Sequence, residues 1–408
     1  MKILIYGLNF NPELTGTGKY TGEMAEWLAK QDNEVKIITA PPYYPEWEIA
    51  KGYKKFFYSK EQIGNISIER CPLYVPKNQT TYKRLIHLIS FSFSSLFPLI
   101  TKLIWKPDLI IVIAPTLLCA PGGIFLAKLT GAKAILHIQD FEIDAMFGLG
   151  MMKKGLFYNS VVFFEKLILK RFNLVSTISR KMTEILLKKG VLKDKIYFFP
   201  NWVDIDFINP LTDSKKYKTN ITGDANSKVV LYSGNIGNKQ GLEIILDVAK
   251  NFKFDKNIKF IISGSGSYKE DLKNQAFSRK INNIIFRELV PYEELPFLIN
   301  SADVHLVIQK KGTADAFLPS KLTTILSGGG YAIVSAEVDT ELGILNDRYP
   351  GIIERVEPED SISITASIKK ILNYNNSYNS IAREYAIKYL KKDNILIDLY
   401  KKLQTLVI

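Results

Sequence analysis

The chain has 408 residues, 47% of them hydrophobic, which is enough for two packed cores and too ordinary for a disordered or fibrous protein. A formal charge of +13 calls for an anionic partner, yet no helix-turn-helix, zinc-finger or stacked-aromatic pattern accompanies it, which argues against nucleic acid. Two cysteines, Cys71 and Cys119, lie far apart without metal-ligand spacing, so a disulfide scaffold is excluded and a reducing compartment is indicated.

The first element, residues 2–6, is a short apolar strand running into polar Asn9, Asn11 and Glu13, and no signal peptide is expected there. Further strands are predicted at 35–39, 109–113 and 134–137, with helices at 20–30, 120–128 and 156–169 between them. Such alternation specifies a parallel sheet covered on both faces. The run 209–227, rich in Pro, Thr, Asp, Ser and Lys, marks a boundary. A second strand–helix series follows, with strands from 229 and at 258–263, 284–287, 304–308 and 331–334. The fold class is therefore α/β, with two doubly wound Rossmann-like domains facing a cleft and ligands at the carboxyl ends of the strands.

Residues 85–105 are nearly as long as a transmembrane span, but they contain His87, Pro98, Lys102 and several serines, and Lys83 and Arg84 precede them. Spanning would leave pieces of one α/β domain on opposite sides of a bilayer. Two readings remain, a core helix pair with an exposed apolar face or an in-plane docking helix. A second apolar stretch, with Met146, Phe147, Leu149, Met151, Met152, Leu156, Phe157, Val161 and Phe164, is interleaved with Lys153 and Lys154. Between Met151 and Lys195 eleven Lys/Arg face three acids, so an anionic membrane surface is the expected partner.

Two strand–glycine loop–helix units stand out in the second half. One runs from the strand at 229–233 through Gly234, Asn235, Gly237, Lys239 and Gln240 to Gly241. The other is the loop and helix of Pro319, Ser320 and Lys321, ending at Gly328-Gly329-Gly330. A helix N-terminus offers unpaired N–H groups and a partial positive charge, and each unit adds one lysine, so together they form a diphosphate seat. Gly264 follows a third strand on the same side. In the first half, Gly16-Thr17-Gly18 opens a helix without the third glycine of a dinucleotide fingerprint. Asp140 follows a strand, either as a helix N-cap or as a polar group at a bound substrate. His137 and His305 alternate with apolar residues and read as structural. Asp204 and Asp206 have metal-motif spacing but follow a Pro-Asn-Trp turn, and no metal is expected.

Four motifs, Gly16-Thr17-Gly18-Lys19-Tyr20, the segment from His137 to Asp144, Pro200-Asn201-Trp202-Val203-Asp204, and the paired glycine loops, resemble the retaining GT-B glycosyltransferases of family 4 over essentially the whole chain. The likeness is strongest to bacterial transferases that add fucose or N-acetyl-fucosamine in capsule, O-antigen or colanic-acid synthesis. The resemblance implies an acceptor-binding, membrane-docking domain at 1–208, a nucleotide-sugar domain at 209–379, and a helix at 380–408 packing back on the first. It implies donor contacts at Gly16, Thr17, Gly18, Gly234, Asn235, Gly237, Gln240, Gly264, Leu289, Asp315, Leu318, Pro319, Ser320 and Thr324. It implies acceptor contacts at Tyr20, Gln139, Phe141 and Asp144, with Tyr292 either stacking on the base or packing on the next helix. Asp140, Lys239 and Lys321 are the implied catalytic residues, Asp140 orienting or deprotonating the acceptor hydroxyl while the lysines and the Gly237 amide take the leaving diphosphate without a metal cofactor.

Two departures qualify this pattern. The family's Arg and Lys of the phosphate loop are Asn235 and Gln240 here, with Lys239 one residue early. Its paired glutamates fall on Ala316 and Thr324, beside Asp315. A 6-deoxy sugar donor is consistent with both. The expected reaction is transfer from a UDP-sugar, in preference to GDP, to a polyprenyl-diphosphate-linked acceptor on the inner face of the plasma membrane. The alternatives are a nucleotide-sugar epimerase of the same fold and a binding partner with degraded catalysis.

Overall fold

The computed structural model describes residues 1–13, 16–78, 80–141, 156–211, 214–312, 319–376 and 378–407, with the side chains of 81, 156, 157 and 239 excepted. The chain forms two compact units, Met1–Pro200 with Leu396–Ile408, and Asn201–Ile395.

The first unit is built on an eight-stranded sheet of β1 (Lys2–Gly7), β2 (Glu34–Thr39), β3 (Ser59–Ile63), β4 (Ile66–Arg70), β5 (Leu109–Ala114), β6 (Lys133–Ile138), β7 (Leu174–Thr177) and β8 (Ile196–Phe198). The order is β3-β4-β2-β1-β5-β6-β7-β8, parallel except where β3 pairs antiparallel with β4. Ile3, Leu4, Ile5 and Tyr6 are all buried, as is the whole of β5. Such continuous apolar runs belong to a sheet covered on both faces. The polar edge strand β3, with sequence Ser-Lys-Glu-Gln-Ile, and the three-residue β8 carry no such run, and the sequence did not announce them.

The second unit has six parallel strands, β9 (Lys228–Ser233), β10 (Ile258–Ser263), β11 (Ile284–Arg287), β12 (Val304–Val307), β13 (Ala332–Ser335) and β14 (Glu354–Val356), in the order β11-β10-β9-β12-β13-β14. Along β9 the side chains alternate between two cores. Val230 and Tyr232 join one cluster with Leu246, Val248 and Phe260, while Val229 and Leu231 join another with Ile261 and Leu298. Strand order reverses between β1 and β5 in one sheet and between β9 and β12 in the other. These switch points are where α/β sheets bind ligands.

Three elements differ from expectation. The run 209–227 contains a helix, Lys215–Thr222, held by the Lys218–Asp303 pair at 2.8 Å. The expected single C-terminal helix is two, Ser380–Tyr389 and Lys392–Val407. Val203 N–H donates to the Leu390 carbonyl and a β-bridge joins Val203 to Lys391, which breaks the helix between them. The helix Ser380–Tyr389 packs Ala382 and Ala386 against Leu322 and Ile325 of the second unit.

The apolar segment forms the helices Thr81–Ser94 and Leu96–Trp105. Tyr82–Trp105 is long and apolar enough to cross a membrane by length and composition. It is tied to the sheet along its course, by Tyr6 Oη to Ser95 Oγ at 2.6 Å, by the Lys102–Glu69 pair, and by Trp105 Nε1 to Glu34 at 2.7 Å. The inner side, with Phe91 and Leu99, is core, while Phe93, Phe97, Ile100 and Ile104 stand exposed outward. Of the second apolar stretch, Met146 through Lys154 lie outside the described residues; Phe163 and Phe164 are exposed.

Candidate active site

In the second unit β9 ends at Ser233, and the chain turns through Gly234 at φ +140°. A side chain there would meet Lys321, whose Cε and Nζ lie 3.1 Å from the position of a Cβ. Lys321 sits in the first turn of the helix Ser320–Ser327, and its Nζ rests 3.7 Å from the centroid of the Tyr232 ring. The two predicted loops thus converge on one ammonium group at the switch point between β9 and β12. The helix N-cap is Pro319, which gives no side-chain cap, so its positive end keeps its attraction for an anion. Burial lowers the Lys321 pKa to about 7. An anion placed here draws a proton onto the lysine as it binds.

The loops after β9 and β10 lie backbone to backbone. Gly234 N–H donates to Ser263 O at 2.9 Å and Ile236 N–H to Ser265 O at 2.8 Å. A Cβ on Gly264 would overlap the Gly234 carbonyl, so loop packing by itself requires glycine there. Gly237 and Gln240, both expected on the diphosphate, hold each other, with Gly237 N–H donating to Gln240 Oε1 at 3.1 Å. Asn235 is exposed, and its carbonyl accepts the Tyr232 hydroxyl at 2.6 Å. The Lys239 side chain, Asp315 and Leu318 lie outside the described residues. Thr324 is buried inside the helix. Gly330 is required by His305, whose ring atoms lie 2.6 Å from where a Cβ would be, and His305 is buried and structural as expected.

Lysine 269, passed over in the sequence, is buried and donates to Gly264 O at 2.8 Å and Arg287 O at 3.0 Å, pairing also with Glu288. It pins the ends of β10 and β11 beside Leu289, which is 37% exposed. The Tyr292 ring stacks on Phe207 at 4.7 Å and 16°. Asp204 Oδ1 accepts the amides of Asp206 and Phe207, so its carboxylate closes a turn. Among the described residues no group of three His, Cys, Asp or Glu gathers as metal ligands.

In the first unit the residue that organises the switch point is Glu13, which sequence reasoning missed. It is 4% exposed. Its Oε1 accepts Tyr43 N–H and Tyr44 N–H, both at 3.1 Å, and its Oε2 accepts Asn9 Nδ2 at 2.9 Å. A Cβ on Gly18 would lie 2.5 Å from Glu13 Oε2, so Gly18 is glycine to make room for this carboxylate. Burial raises the Glu13 pKa to about 7 against those hydrogen bonds. The signal was an acid a few residues ahead of Gly-x-Gly. Gly16 takes φ +59°, and the Thr17 carbonyl accepts the Thr21 hydroxyl.

Of the residues expected at the acceptor, Tyr20 is 2% and Phe141 3% exposed, their apolar rings lying where apolar area is buried. Gln139 Nε2 donates to His137 Nε2 at 2.9 Å, which leaves His137 Nδ1–H for Ser176 Oγ at 3.0 Å. Burial lowers the His137 pKa to about 3, so the ring is neutral and structural. Asp140 is half-buried just beyond β6, and Asp144 lies outside the described residues.

Two family matches cover nearly the whole chain, "Glycosyl transferase 4-like domain" over residues 15–202 and "Glycosyl transferases group 1" over 213–392. A protein of Escherichia coli (strain K12), named for colanic acid biosynthesis as the glycosyl transferase WcaI, is 48% identical over 97% of this chain and 98% of its own length. The chain belongs to the GT4 family of GT-B glycosyltransferases. As an enzyme of that class, the transferase is neither an epimerase nor a bare binding partner. Its fold matches sucrose-phosphate synthase of Thermosynechococcus elongatus, with TM-score 0.78 and 15% identity over 100% and 99% of the two chains. It also matches HepE of Anabaena solved with UDP-glucose, with TM-score 0.72 and 14% identity over 99% of this chain and 100% of that one.

Proposed function

We propose that the transferase moves a 6-deoxy sugar, N-acetyl-L-fucosamine or L-fucose, from a nucleotide donor to a polyprenyl-diphosphate-linked precursor, with retention and without a metal. UDP is favoured over GDP. The observation that carries this reading is Lys321, held at an uncapped helix N-terminus against Gly234, where the donor's diphosphate leaves. Its ammonium and the helix dipole stabilise charge as it develops on the leaving phosphate, which is what a metal ion does in other transferases. Asp140, beyond β6, orients the acceptor hydroxyl.

The membrane face supports the acceptor class. Tyr82, Leu85, Ile89, Phe93, Phe97, Ile100 and Ile104 form one exposed stripe at spacings of three and four along two consecutive helices. Tyr58 adds to it, its ring 5.7 Å from that of Phe97. A stripe of this size on a net basic protein fits an anionic lipid surface on the cytoplasmic side, where both donor and acceptor are presented.

The test is transfer in chelator from UDP- and GDP-linked fucose and N-acetyl-fucosamine to a polyprenyl-diphosphate glycoside in vesicles, with the product anomer read by NMR. Retained configuration and a single preferred donor support the reading. Inversion, or turnover only after a divalent metal is added, contradicts it.

A further inference from the structure

The helix Thr81–Ser94 has two long faces with different chemistry. Tyr82, Leu85, Ile89 and Phe93 point outward, whereas Arg84, His87 and Phe91 form an inner stripe at spacings of three and four. His87 and Phe91 are buried, and Arg84, one turn nearer the helix start, is half-buried. The Arg84 guanidinium carbon lies 5.5 Å from the Trp47 ring centroid. Trp47 leans on His87 at 5.3 Å, and His87 on Tyr43 at 4.8 Å. Trp47 also holds a left-handed φ of +57°, unusual for a bulky residue, in the loop that Glu13 anchors at Tyr43 and Tyr44.

Arg84 differs from two cations nearby in the same unit, since Arg70 pairs with Glu61 and Lys102 with Glu69. Among the described residues no carboxylate pairs with Arg84. A guanidinium held over an indole, beside the amino end of a helix and next to an exposed apolar stripe, matches a lipid diphosphate in both charge and polarity. The order also fits. Tyr44 has its pKa raised by burial first and by Glu13 next, and both Arg84 and Asp140 act on its hydroxyl from nearby.

Resting on the reading that the acceptor is lipid-linked, we propose that Arg84 and Trp47 hold the acceptor's diphosphate at the rim of the apolar face. The polyprenyl tail lies on Tyr82, Leu85 and Ile89, the diphosphate on Arg84, and the acceptor sugar past Tyr44 toward Asp140.

The experiment is flotation of the full chain with phosphatidylcholine vesicles carrying a polyprenyl diphosphate, compared with vesicles carrying phosphatidylglycerol to equal charge. The wild-type protein prefers the diphosphate vesicles. Arg84→Gln loses that preference by about tenfold, the worth of one charge-assisted contact, at an unchanged melting temperature. Lys83→Gln, the same loss of charge one residue away, keeps it, and Arg84→Lys restores part. Equal binding by Arg84→Gln and wild type overturns the assignment. Displacement by inorganic pyrophosphate at a concentration no higher than that of the lipid overturns the lipid as source, since the tail would then contribute nothing. Wild-type protein that floats with neither vesicle contradicts the lipid-linked acceptor itself, a failure distinct from that of Arg84.

Discussion

The ammonium of Lys321 rests 3.7 Å from the centre of the Tyr232 ring, and its carbon stem fills the space left by the missing side chain of Gly234. One lysine thus joins the loop after β9 to the helix after β12, and its burial makes its charge depend on what binds.

The first prediction concerns pH. A lysine whose pKa in the fold is lowered to about 7 is neutral above that value, while the unfolded lysine stays charged to near 10.5. The unfolded chain therefore holds the extra proton between these limits, and the Lys321 contribution to stability rises with pH across that window. Nucleotide binding runs the other way. Affinity for a nucleoside diphosphate should fall by up to about tenfold per pH unit above 7, with proton uptake seen by calorimetry in buffers of different ionisation enthalpy. Affinity flat from pH 7 to 9 would show that the lysine is already charged.

Glu13 makes a second prediction. Its pKa is raised to about 7, so the folded state binds the extra proton between about 4.5 and 7, and its stability contribution falls as pH rises through that window. Glu13→Gln should flatten this dependence. Glu13→Ala, which strands the Tyr43 and Tyr44 amides, should cost about 1–3 kcal/mol. Urea unfolding at pH 5 and pH 8 reads both. The three histidines oppose this trend, because burial lowers His137 to about 3 and His87 and His305 to about 4, and the protein loses their contribution as pH falls below 6.5.

Loop packing predicts a third outcome. Gly264→Ala places a methyl on the Gly234 carbonyl and should cost about 1–3 kcal/mol while weakening nucleotide binding. Gly223→Ala, with φ +84° but open space around it, is the control and should cost about 1 kcal/mol with binding intact. Thermal melts with and without nucleotide separate the two.

A fourth prediction addresses the exposed helices. Phe97→Asp with Ile104→Asp should release the protein from anionic vesicles by about tenfold or more in partition, since two large apolar side chains are each worth about 1.5–3 kcal/mol on burial. Soluble nucleotide binding should be untouched. Equal partition of variant and wild type would rule the stripe out as the lipid contact.

The sheets and the two converging loops around Lys321 were legible because their signals are local. Val229–Leu231 and Leu109–Ile113 are continuous apolar runs, and a lysine one residue past Pro319 and Ser320 announces a helix start. The roles of single residues were less legible because they depend on long-range packing. Gly264 faces a carbonyl thirty residues away in sequence, and Tyr292 is claimed by Phe207. Tyr20 and Phe141 carry a polar or aromatic signature that burial overrides. Glu13 looked like an ordinary loop acid, and only the fold brings the Tyr43 and Tyr44 amides to it.

The most direct test of the donor seat is calorimetric titration of UDP, GDP and TDP into wild-type protein and Lys321→Met, with chelator present throughout. The account predicts tight, base-selective binding by the wild type and a loss of about tenfold to a hundredfold in the variant, the value of one charged hydrogen bond to phosphate. Equal affinity in the two proteins would contradict it.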